Sequence, residues 1–177
     1  MDTGDMVDYC FKWNYADGAP GVPLTQDEAR VKDGAGEEYT AIMPPRDGMK
    51  SPVLVTPVWK SGVVAVTFLD DAGRKATEYT FMKKTDESLF LTRVHMWNYP
   101  NDEPGLRLSD SSSHETVHYR EDGYVKRIIK NKVERFQETV EYTDVPVDTN
   151  WEPVPTFGDY RSIARYDRDG QVSNRIP

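Results

Sequence analysis

The sequence predicts a β-rich α+β fold: antiparallel sheet built from hairpins, with few short helices, in one globular domain over residues 1–177. Three observations carry that prediction. Runs rich in Val, Thr, Phe and Tyr are broken by short turns containing Asp-Gly or Ala-Gly. Prolines 44, 45, 52, 57, 146, 153 and 155 confine their segments to loops or sheet edges. Helical periodicity, by contrast, is scarce.

Taken in chain order, VDYCFKW (Val7 to Trp13) reads as a strand and runs into WNYADGAPGVPL (Trp13 to Leu24), whose Asp, Asn, Gly and Pro residues form a structured loop. LTQDEARV (Leu24 to Val31) reads as about two helical turns, with Thr25 as N-cap and Glu28 as its capping-box partner. VVAVTFLDDAGRKATEYTF (Val63 to Phe81) is a hairpin around Asp70-Asp71-Ala72-Gly73. LFLTRVHMW (Leu89 to Trp97) is a strand leading into WNYPNDEPGLRL (Trp97 to Leu108). ETVHYREDGYVKRII (Glu115 to Ile129) is a second hairpin, around Glu121-Asp122-Gly123. VERFQETVEY (Val133 to Tyr142) suits a helix through Val133, Phe136 and Val140 or a strand through its Thr and Val content, and FGDYRSIARY is equally ambiguous through Phe157, Tyr160 and Ile163. A third turn is expected at Asp169-Gly170.

The two W-N-Y segments share Trp-Asn-Tyr, then Pro-Gly, an aliphatic residue and Leu at identical offsets. One motif found twice in so short a chain points to a duplicated unit, with halves at about 7–88 and 89–177.

Composition excludes several function classes. Ten Tyr and four Trp argue against disorder. The formal net charge of -8 repels phosphate backbones and anionic membranes, so neither nucleic acid nor membrane is expected and a cation-rich protein partner is favoured. The single Cys10, inside an apolar run, reads as a small buried hydrophobe in a reducing compartment. The stretch MDTGDMVDYC carries acid where a signal peptide carries base, and no segment approaches the roughly 18 apolar residues of a membrane span, so a cytoplasmic location is expected.

His114-Glu115-x-x-His118 spells the zinc metallopeptidase motif, which requires a helix to bring both imidazoles to one ion and the glutamate beside them. The preceding Ser-Asp-Ser-Ser-Ser is weak in helix propensity, and the Asp122-Gly123 turn follows closely. On a strand the two histidine α-carbons stand about 13 Å apart and cannot share a zinc. A distant Glu134 or Glu138 keeps the peptidase as an alternative, and Trp13, Trp59, Trp97 and Trp151 keep a carbohydrate-binding module as another. His95 reads as an ordinary strand imidazole. No phosphate loop, nucleophile elbow or C-x-x-C is found, so no catalytic residue, metal or cofactor is expected.

Small size, acidic balance, the duplicated W-N-Y...P-G unit and hairpins ending in Asp-Gly together resemble the immunity proteins of polymorphic toxins, in particular the mycobacterial immunity factor for the tuberculosis necrotizing toxin. The resemblance implies an antitoxin that forms a one-to-one complex with a secreted NAD+ glycohydrolase and blocks NAD+ from its active site. A cleft that binds a dinucleotide diphosphate presents positive potential, which an acidic hairpin tip would meet. The tip of FLDDAGRK is therefore the expected toxin-binding element: Asp70 and Asp71 in place of phosphates, Gly73 for close backbone approach, Leu69 as an apolar anchor, and Arg74 beside them.

Overall fold

The computed structural model describes residues 6–168; the turn expected at Asp169-Gly170 lies outside them. Alternating β-branched and aromatic residues make strand the dominant regular structure, 43% against 12% helix, so the β-rich α+β class holds. Among the described residues the strands are β1 (Asp8–Cys10), β2 (Trp13–Asn14), β3 (Ala19–Pro20), β4 (Pro23–Leu24), β5 (Thr40–Met43), β6 (Val53–Val58), β7 (Val63–Leu69), β8 (Lys75–Lys83), β9 (Ser88–Asn98), β10 (Ser113–Tyr119), β11 (Val125–Asn131), β12 (Phe136–Tyr142) and β13 (Trp151–Pro153), with one α-helix, α1 (Gln26–Ala35). β2 and β3 pair with each other, and the rest form one antiparallel sheet in the order β12-β11-β10-β9-β8-β7-β6-β5-β1-β4, with β13 added alongside the first residues of β9. From β5 to β12 sheet order follows chain order, as expected of consecutive hairpins.

Period-two alternation gives the sheet two unlike faces. Val64, Val66 and Phe68 of β7, Tyr79 and Phe81 of β8, Val94 of β9, and Val117 and Tyr119 of β10 line a core face and are almost fully buried. Residues 143–168 close over it, contributing Val145, Tyr160 and Ile163 to the same cluster, with Phe157 and Tyr166 packed at its margin. Cys10, in β1, is fully buried and its thiol is pushed up by burial, as befits a small hydrophobe.

α1 starts where the capping box predicts, the Glu28 amide donating to Thr25 Oγ1 (3.2 Å) and the Thr25 amide to Glu28 Oε2 (2.8 Å). It runs past the expected Val31 end to Ala35 and stops at Gly36, whose φ of 70° gives the left-handed cap. An added Cβ at Gly36 would lie 2.9 Å from the Lys60 amide nitrogen, so the residue must also be small. The extra turn is anchored by Asp33 Oδ1, which accepts from Tyr39 Oη (2.8 Å) and Trp59 Nε1 (2.7 Å), while Tyr39 and Tyr160 join through their hydroxyls at 2.8 Å.

Both ambiguous segments resolve against helix. VERFQETVEY forms a turn and then β12, because the open edge of β11 offers a ladder and Asn131 Oδ1 caps the turn by accepting from the Val133 and Glu134 amides (3.0 and 2.9 Å). FGDYRSIARY is a series of turns whose three-residue spacing inserts Phe157 against Tyr9 (5.3 Å) and Tyr160 and Ile163 into the core. Pro57, expected at a loop or edge, lies within β6, at a position that pairs with β7 but is beyond the residues matched by β5.

Candidate functional site

The β7–β8 connection shows how a short loop becomes a rigid projection. Gly73, at φ 76°, closes a tight turn in which its amide donates to the Asp70 carbonyl (2.9 Å), and the Asp70 amide donates to the Arg74 carbonyl (2.9 Å). The Asp70 carboxylate turns inward. It accepts from the amides of Ala72 (3.1 Å) and Arg74 (2.9 Å) and from the Arg74 guanidinium through Nε (2.8 Å) and Nη2 (2.7 Å). Arg74 then reaches the carbonyls of Asn101 (2.6 Å) and Glu103 (3.2 Å) and lies 4.3 Å over the Tyr99 ring. On the other side the Ser51 hydroxyl donates to the Asp70 carbonyl (2.6 Å), and the Lys50 amide donates to Asp71 Oδ1 (3.2 Å).

These contacts reassign the expected tip residues. Leu69 is 3% exposed and presents no surface for an apolar contact; Asp70 and Arg74 hold the loop together, and Asp71 is the one tip carboxylate that is exposed. Accessible apolar surface lies instead in the W-N-Y repeats. Tyr15 of the first copy and Tyr99 of the second line a single groove of about 410 Å³ together with Ala16, Arg74, Lys75 and Leu106 to Ser109. Lys75 Nζ sits 4.9 Å from the Tyr15 ring and 5.6 Å from the Trp97 ring, and the Tyr99 hydroxyl donates to the Lys75 carbonyl (2.8 Å). Tyr99 has its hydroxyl pushed up by burial and by Asp70. Tyr15 (43%) and Leu108 (41%) are exposed, as is Arg107 in the same lining; Asp71, Asp102, Glu103 and Asp110, on the loops that carry the groove residues or adjoin them, are exposed as well. The signal for this site was the repeat itself, since equivalent tyrosines of both copies meet there.

The copies do not share a conformation. In the first, Trp13-Asn14 pairs with Ala19-Pro20, and Gly21 is required because a Cβ would lie 2.7 Å from the Lys12 carbonyl. In the second, Trp97-Asn98 ends β9, Gly105 takes φ 82°, and the chain enters a 3₁₀ turn at Leu108–Asp110.

His114-Glu115-x-x-His118 lies on β10, in register with β9 and β11 throughout. The glutamate points to the opposite face from the histidines and forms a bidentate ion pair with Arg127 (2.5 and 3.1 Å), which removes it from the position of a general base. Among the described residues no group of three His, Cys, Asp or Glu could hold a metal. The tryptophans are engaged separately: Trp59 by Asp33, Trp151 against Phe90 (4.9 Å), Trp97 against His95 (5.2 Å) and Trp13 in β2. Among the described residues no helix is long and apolar enough to cross a membrane. No family model, curated protein or solved structure matches the chain.

Proposed function

We propose that the chain is an immunity protein, an antitoxin that binds a cognate secreted NAD+ glycohydrolase toxin in the producing cell and blocks access to its NAD+ site. The observation that carries this reading is the Arg74-locked hairpin tip standing beside a groove rimmed by Tyr15, Tyr99 and Leu108. A partner meeting it finds partly exposed aromatic and aliphatic anchors on a backbone already ordered, so little conformational entropy is lost on docking. Lys75 and Arg107 line the groove itself, and the exposed Asp71, Asp102, Glu103 and Asp110 on the adjoining loops supply the field that a cationic dinucleotide cleft attracts. Inhibition here is occlusion, and it needs no catalytic group, metal or cofactor of the chain's own.

Co-expression with a toxin encoded beside it tests the reading. Rescue of growth and a one-to-one complex on gel filtration are expected. Tyr15→Ala with Leu108→Ala should leave the fold intact and weaken the complex by about 2 kcal/mol or more through faster dissociation. Asp71→Lys with Asp102→Lys should slow association, most at low salt. Failure to rescue, or full inhibition by both double variants, would sink the assignment of this surface.

A further inference from the structure

The outer face of β9, β10 and β11 carries a second feature, which does not depend on what fills the groove. Register places Arg93, His118 and Lys126 in one cross-strand row, His95, Thr116 and Ile128 in the next, and Trp97, His114 and Lys130 in a third. Three permanent cations and three imidazoles thus share a patch about 10 Å across and about 13 Å long, set by strand spacing and rise. The patch itself contains no carboxylate, in a chain whose net charge is -8.

Nor does a neighbouring carboxylate form an ion pair with it. Among the described residues Arg93, Lys126 and Lys130 have no acidic partner at ion-pair distance, whereas Arg74, Lys75, Lys84, Arg127 and Arg168 each do. Arg93 is half-buried, its Nε has no hydrogen-bond partner, and its one contact through Nη2 is a 3.3 Å bond to Thr80 Oγ1. The flanking acids lie outside the patch, Glu78 opposite His95 on β8 and Glu141 opposite Lys126 on β12. Glu78 is occupied by Lys75 (2.6 Å) and the Thr67 hydroxyl (3.2 Å). Uncompensated charge is also felt by the imidazoles. Burial and then Arg93 and Lys126 lower His118, and burial and then Lys130 and Lys132 lower His114.

We propose that the Arg93–His118–Lys126 row and the Lys130–His114 pair beside it form a docking surface for an acidic segment of a protein partner, with Arg93 taking a carboxylate. Charge complementarity chooses the occupant. Arg93 and Lys126, two strands apart, stand about 10 Å from each other, a spacing that carboxylates on one extended peptide can match. A nucleic acid strand is disfavoured, because single-stranded sites track about 4–16 nucleotides along a basic groove and this patch ends at glutamates on both sides.

The test is an NMR titration of the full chain with an acetylated hexaglutamate peptide, read at the imidazole resonances of the three histidines and at Arg93 Nε–H. Shifts confined to those groups, an affinity that falls as salt rises, and no shift with hexalysine are expected. Lys126→Glu with Lys130→Glu, both away from the core face, should lower that affinity about tenfold without changing the melting temperature. No shift, shifts centred elsewhere, an unchanged affinity in the double variant, or equal shifts from inorganic phosphate or a thymidine hexanucleotide would overturn the proposal.

Discussion

Arg74 ties four things together: the Asp70 carboxylate, the carbonyls of Asn101 and Glu103, and the ring of Tyr99. Lysine cannot reproduce this, since its point charge has neither the planar fork nor the face for stacking. Arg74→Lys should therefore cost roughly 2 kcal/mol in urea unfolding, and proteolysis should become faster in both the 70–74 and 99–103 loops. His95 makes a prediction of the opposite kind. Burial and then Arg93 lower it from 6.5 to about 4, against a smaller opposing pull from Glu78. The unfolded chain therefore takes up this proton first as pH falls, so the contribution of His95 to stability declines from about pH 6.5 to about pH 4 and is constant below. An NMR titration should find the His95 midpoint near 4, and His95→Gln should flatten the pH dependence of unfolding in that window. The sequence marked Arg74 only as a neighbour of the tip and His95 only as an ordinary strand imidazole. Which atoms a guanidinium reaches depends on a loop 27 residues further on, and burial of an imidazole depends on strands that pair with it.

The hairpins are the elements most legible in the sequence, because their turns are local. Asp70 to Arg74 and Arg120 to Tyr124 close with the same pair of backbone bonds and a left-handed glycine. Their glycines nonetheless answer to different neighbours. A Cβ at Gly73 meets nothing within 4 Å, whereas one at Gly123 lies 2.9 Å from the Val145 carbonyl oxygen. Gly73→Ala should cost about 1–2 kcal/mol, the left-handed penalty alone. Gly123→Ala should cost distinctly more and lower the melting temperature further. The strand reading of the H-E-x-x-H stretch was likewise local, resting on weak helix formers and an early turn. What stayed hidden was tertiary. β12 is a strand because β11 offers it an edge, and the Phe157, Tyr160 and Ile163 spacing that mimics a helix records three insertions into a core. The repeat announced that two segments were alike, but not that they would face each other across Lys75.

At the scale of the molecule, a meander of local hairpins is sealed by a segment of distant sequence. Residues 143–168 lie across the core face, and their end is fastened by the nearly buried Glu152, which accepts from Arg165 (2.6 Å) and Arg168 (2.6 Å). Arg168 also lies 4.9 Å over the Phe81 ring, and burial lowers it. Removing the carboxylate strands a buried cation, so Glu152→Ala should destabilise by about 3–5 kcal/mol in chemical denaturation. Glu152→Ala with Arg168→Met should recover part of that loss, which separates the ion pair from the packing beneath it. The order of these parts along the chain has a consequence for biogenesis. β1 to β12 leave the ribosome before the strap that covers them, and each hairpin can zip as it emerges, yet Val64, Val66, Phe81 and Val117 stay wet until the strap follows. The nascent chain is thus a natural client for chaperones at that stage, and a product stopped after Tyr142 should accumulate in inclusion bodies.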